Sequence, residues 1–104
     1  MMKIVTLEMA KDHLRIDEIT HELLIYIEAA EELAQEFLNR HVYDVSVPED
    51  DPTGIVANSL ITAAILLILG HLYENRETVT DKPLNNVPMG ALSLLQPYRI
   101  EMGV

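Results

Sequence analysis

The run LITAAILLILG, residues 60–70, carries one hydroxyl and no charge, and it constrains the fold more than any other stretch. A helix that is apolar on every side must be covered on every side. A bilayer is one possible cover. The apolar segment from Ile55 to Gly70 spans 16 residues and is interrupted by Asn58, Ser59 and Thr62, whereas a spanning helix needs about 20. A buried core helix is therefore expected. It should start near Thr53 to Ile55 and run to about Arg76 or Glu77, roughly 33 Å at 1.5 Å per residue.

The rest of the chain supplies candidate cover. Thr6 can cap a short first helix reaching Ile16, with Leu7, Ala10 and Leu14 on one face. After Asp17 a long acidic helix extends to about Arg40. Its apolar positions are Ile19, Leu23, Ile27, Ala30, Ala34, Phe37 and Leu38, at spacings of three and four. Glu18, Glu22, Glu28, Glu31, Glu32 and Glu36 fill much of the remainder, the pattern of a solvated face.

HVYDVSV, residues 41–47, alternates as a short strand would, and PEDDPTG, residues 48–54, reads as a loop. TVTDKPLNNVP, residues 78–88, is a second polar loop. Pro88 suits the first turn of a last short helix to about Leu95, and Pro97 ends it, leaving an extended tail over about 97–104. The expected fold class is mostly α. It is one small helical domain over residues 1–104, with two long helices, two short ones and one short strand or hairpin. One long amphipathic helix and two short ones offer limited cover for the apolar helix. Neighbouring copies are expected to supply the missing wall, as at interfaces that resemble a core cut in half.

At 104 residues and 49 % hydrophobic, the chain can build one modest core and is not disordered by composition. It has no cysteine, which excludes disulfides, thiolate metal sites and Cys nucleophiles. Seventeen Asp and Glu against seven Lys and Arg give a formal net charge of −10. Phosphate backbones should repel such a chain. Its first residues show no apolar run of the secretory kind.

Catalytic and metal-binding patterns are thin. Glu18 with His21 forms Glu-x-x-His, and His71 with Glu74 gives the reverse order. Helical di-metal sites need two such motifs of one polarity plus further Glu residues. No metal site and no cofactor are expected. A small helical metal-binding protein using these Glu/His pairs stands as the alternative function. Ser46, Ser59 and Ser93 lie in no Gly-x-Ser-x-Gly turn, and four glycines write no phosphate-cradling loop. No enzyme is expected.

HLYENRE, residues 71–77, closes the apolar helix. Arg76 complements the partial negative charge of the last carbonyls, whereas Glu74 and Glu77 do not. Asn75 is a poor helix former. These residues therefore call for partners elsewhere in the fold or in another copy. Tyr73 and Arg76 share a face, with Glu77 one turn beyond Tyr73.

LRID after the first helix, AA inside the acidic helix, HLYENRE, and MGALSLLQPYRI near the C-terminus occur in that order. Together they resemble the small head–tail connector proteins of tailed phages, also described as possible DNA-packaging proteins, over roughly Leu7 to Ile100. The resemblance implies a mostly helical structural virion protein, made in the host bacterial cytoplasm. It implies a homo-oligomeric ring below the portal protein, with a tail-side connector or stopper as its other neighbour. The ring would extend the channel through which DNA passes without specific binding, and no membrane is involved. The positions matching the family are Leu72, Tyr73, Asn75, Arg76, Glu77, Leu95, Pro97, Tyr98 and Arg99. Their implied role is to shape the subunit and its contacts with other subunits or partners. The Glu-rich face of the second helix is the candidate channel lining.

Overall fold

The computed structural model describes residues 5–16, 21–74 and 88–100. In chain order these form α1 (Leu7–Leu14), α2 (His21–Leu38), β1 (Val42–Tyr43), β2 (Ile55–Val56), α3 (Ser59–Glu74) and α4 (Met89–Leu95). A 3₁₀ turn over Gln96–Tyr98 follows α4 directly. The fold is mostly α, as the sequence patterning requires.

α1 begins where Thr6 Oγ1 accepts the Met9 N–H at 3.1 Å, satisfying one of the donors a helix start leaves open. It stops at Leu14, two residues short of the expected Ile16. Arg15 adopts a left-handed conformation with φ 56°, which ends the helical hydrogen bonding. Asn39 does the same after α2, with φ 59°, so that helix ends at Leu38 rather than at Arg40. Asn tolerates this region better than most residues.

The largest boundary difference is at α3. The sequence places its start near Thr53 to Ile55, but the helix begins at Ser59. Ile55 and Val56 instead pair in parallel with Val42 and Tyr43. Ile55 N–H donates to His41 O at 3.0 Å, and Ala57 N–H donates to Tyr43 O at 2.8 Å. Two β-branched residues in sequence suit a strand. Asn58 then starts the helix, its Oδ1 accepting the Ile61 N–H at 2.9 Å. α3 is thus roughly 24 Å long, shorter than the patterning suggests.

α3 is the centre of the core, and α1, α2 and α4 all pack against it. Ile61, Ala64, Ile65, Ile68, Leu69 and Leu72 are buried on it. Leu23, Ile27, Ala30, Ala34 and Leu38 face them from α2, with Ala10 from α1 and Ala91 and Leu95 from α4. The single chain covers most of the apolar helix by itself, so the wall that neighbouring copies were expected to supply is narrow. What it leaves is a stripe, with Leu60 45 % and Leu67 39 % exposed.

Glu31 departs from the expected solvated face of α2. It is buried, and its Oε2 accepts the Val5 N–H at 3.0 Å. A carboxylate taken out of water needs such donors. Its bond fastens the chain ahead of α1 onto α2.

Candidate functional site

The family-matching positions fall into three groups. Leu72 and Leu95 are core residues. Tyr73 is half-buried and meets Tyr26 of α2 edge to face, with centroids 6.3 Å apart and an interplanar angle of 84°. That geometry suits the aromatic quadrupole. Asn75, Arg76 and Glu77 lie outside the described residues, as does Glu18 of the Glu/His pairs.

Pro97, Tyr98 and Arg99 belong to a cap on the C-terminus of α2. The last carbonyls of a helix lack intrahelical partners. Here Arg99 Nε donates to Phe37 O at 2.8 Å, and its guanidinium lies 4.8 Å from the centroid of the Phe37 ring. Ile100 N–H donates to Leu38 O at 2.9 Å, while Asn39 Nδ2 donates to Ile100 O at 2.9 Å. The 3₁₀ turn holding Pro97 and Tyr98 aims the backbone at this helix end. Residues 97–98 thus form a turn where the sequence suggests an extended tail, and the extended backbone begins at Arg99.

Sequence reasoning passed over Arg40, which joins three segments. Its Nε donates to Thr53 O at 2.7 Å, Nη2 to Gly54 O at 3.3 Å and Nη1 to Tyr98 O at 3.0 Å. Only the forked guanidinium offers donors in that arrangement. Gln35 adds a further tie, its Oε1 accepting the Val42 N–H at 2.8 Å. Nothing in residue spacing announces these bonds, because each partner carbonyl is distant in sequence or belongs to a loop.

The connection between the strands is closed by Tyr43 and Asp51. Tyr43 O–H donates to Asp51 Oδ2 at 2.5 Å, and Thr53 Oγ1 donates to Oδ1 at 3.2 Å. Gly54 passes so close that a Cβ there would lie 2.7 Å from Tyr43 Cε2 and 2.8 Å from Val47 Cγ1. The Tyr43 hydrogen bond holds Asp51 below its ordinary pKa, and the same bond raises Tyr43 above its own. For the carboxyl, stabilisation is present above its unfolded value and is lost as pH falls through the depressed folded value. For the phenol, it is present below the unfolded value and is lost as pH rises through the raised folded value. Tyrosine titration followed by ultraviolet absorbance should show Tyr43 ionising at higher pH than the same group in an Asp51→Asn variant. Identical titrations would remove the coupling.

Two shallow grooves flank this scaffold. One of about 260 Å³ is lined by His13 of α1, by Leu67, Gly70, His71 and Glu74 of α3, and by Pro88 at the start of α4. The other, of about 270 Å³, lies between Phe37 of α2 and Met89, Leu92, Ser93 and Gln96. His21 opens α2, whereas His71 and Glu74 sit in the last turn of α3. Among the described residues no group of three or more His, Cys, Asp or Glu side chains is placed to hold a metal ion. Among them, too, no helix is long and apolar enough to cross a membrane.

The arrangement is a scaffold of caps and clasps around an apolar helix, with exposed acidic and apolar faces. The description "phage gp6-like head-tail connector protein" matches the chain over residues 4–99. No curated protein and no solved structure matches it. With nearly the whole chain inside that match, and a mostly helical fold to accompany it, this protein belongs to the phage gp6-like head-tail connector family.

Proposed function

We propose that the chain, as one connector domain over residues 1–104, is the subunit of a ring. The ring sits below the portal, with a tail-side connector or stopper on its far side, and extends the channel that DNA follows after packaging. The observation that carries this reading is the family match over residues 4–99. As a member of that family the chain is a structural phage protein, and no catalytic step is assigned to it. Charge supports the conduit role. A subunit at −10 repels phosphates, so DNA can pass without being gripped. The family-matching residues from Leu72 to Glu77 and from Leu95 to Arg99 would then act by setting subunit shape and the contacts between subunits and partners.

Silencing the gene during phage growth tests the reading. The expected result is heads and tails that accumulate separately, seen by electron microscopy, with loss of infectious particles. Normal yields of joined particles would sink it.

A further inference from the structure

Most of the large apolar side chains exposed among the described residues have carboxylates beside them. Leu24 and Ile25 lie at the start of α2, 37 % and 51 % exposed. Glu28 and Glu32 are exposed three and seven residues beyond Ile25, a spacing that keeps them on its face. Val45, 79 % exposed, stands in the connection between the strands beside exposed Asp44, with Glu49 and Asp50 exposed further along. On α3, Leu67 lines its groove together with Glu74.

Cations do not balance them. The described residues hold Lys11, Arg15, Arg40 and Arg99. Arg40 and Arg99 direct their guanidinium groups at carbonyls of their own chain. Lys11 and Arg15 flank Asp12 at the end of α1. Two copies brought together therefore oppose carboxylates more often than they pair them with cations, and over the whole chain the net charge is −10.

The reach of that repulsion depends on salt. Its screening length is about 30 Å at 0.01 M ionic strength and about 3 Å at 1 M. The subunit measures 40 × 28 × 20 Å, so in dilute salt the carboxylates of one copy act across much of its neighbour. In concentrated salt only those at the contact do.

We propose that ionic screening gates the self-assembly of this chain. Surface charge holds copies apart in dilute salt, and they associate through apolar contacts once counter-ions shorten the repulsion. The inference rests on the ring reading and adds the condition under which free subunits form the ring. Self-repulsion of this kind keeps a strongly charged chain soluble and monomeric. A contact built on complementary charges behaves in the opposite way and weakens as salt rises.

Sedimentation velocity of the wild type across a sodium chloride series reads the gate. The association constant should rise at least about tenfold between about 0.02 M and about 0.5 M salt. A flat or falling constant overturns the proposal. So does assembly that requires a divalent cation at fixed ionic strength, because a bound ion rather than screening would then join the copies.

The triple variant Glu28→Gln, Glu32→Gln and Glu36→Gln separates screening from a general effect of salt on apolar contacts. All three side chains are exposed, and glutamine keeps their length and helix preference, so circular dichroism and melting should match wild type. The variant removes three negative charges from the net −10. At about 0.02 M salt it should associate at least about threefold more tightly than wild type, and gain less from added salt. Equal salt slopes for the two proteins overturn the proposal. A wild type that is monomeric at every salt concentration does so too. If it also fails to join head components, the ring reading falls with it, whereas rings formed only on those components leave that reading standing.

Discussion

Leu69→Ala is expected to lower the unfolding free energy by about 3 kcal/mol, and Tm by about 12 °C or more. Leu69 is fully buried on the central helix, so its removal leaves a cavity that α1, α2 and α4 cannot all close on at once. Leu67, two residues earlier on the same helix, is 39 % exposed. Leu67→Ala should therefore reduce the stability of the monomer by less than about 1 kcal/mol. Urea unfolding of the two variants under monomeric conditions makes the comparison. Equal losses would mean that α3 is covered on all sides, and the open stripe would disappear with the groove built on it. The contrast matters for function, because only a leucine that the monomer does not need can be given to a neighbour.

Arg40→Ala is expected to reduce stability by about 2 kcal/mol, through the loss of charge-assisted hydrogen bonds to the carbonyls of Thr53, Gly54 and Tyr98. Arg40→Lys should recover less than half of that loss. An ammonium cannot reproduce a fork that reaches a loop on one side and the C-terminal turn on the other. Amide hydrogen exchange gives a local readout. Exchange at Ile55 and Ile100 should speed up in the alanine variant, since their N–H groups donate to His41 O and Leu38 O beside Arg40. A variant within about 0.5 kcal/mol of wild type would show that the clasp is a surface contact of little worth.

The legible parts of the fold were those set by local chemistry. Thr6 announced a cap and stands as one, and Pro88 announced a helix start and stands just ahead of it, at the N-cap rather than in the first turn. The spacing of Leu23, Ile27, Ala30, Ala34 and Leu38 marked the buried side of α2. Glu31 was misread because a carboxylate in a Glu-rich helix is usually solvated. Only the return of Val5 to α2 supplies the donor that keeps it inside. The start of α3 was misplaced for a similar reason. Ile55 and Val56 continue an apolar run, and their pairing with Val42 and Tyr43 depends on a partner more than ten residues away.

The motif QPYRI shows the same division at the candidate site. Its order with HLYENRE was enough to resemble the connector family, and the match over residues 4–99 bears that out. Its structural use was not readable. Arg99 and Ile100 satisfy the carbonyls of Phe37 and Leu38, 62 residues earlier in the chain.

By itself, then, the sequence determined the helical class, the identity of the helix at the centre and the acidic character of the surface. Periodicity, caps and charge are properties of neighbouring residues, and they survive without knowledge of the fold. Tertiary structure alone decided how much of the apolar helix the chain could cover for itself. It left one stripe at Leu60 and Leu67, because three helices around a central one cannot close every angle. HLYENRE suggested the place where copies meet; of it, Leu72 is buried and Tyr73 meets Tyr26 edge to face, while Asn75, Arg76 and Glu77 lie outside the described residues. The exposed side of the same helix carries Leu60 and Leu67, which the packing of the other helices leaves in water.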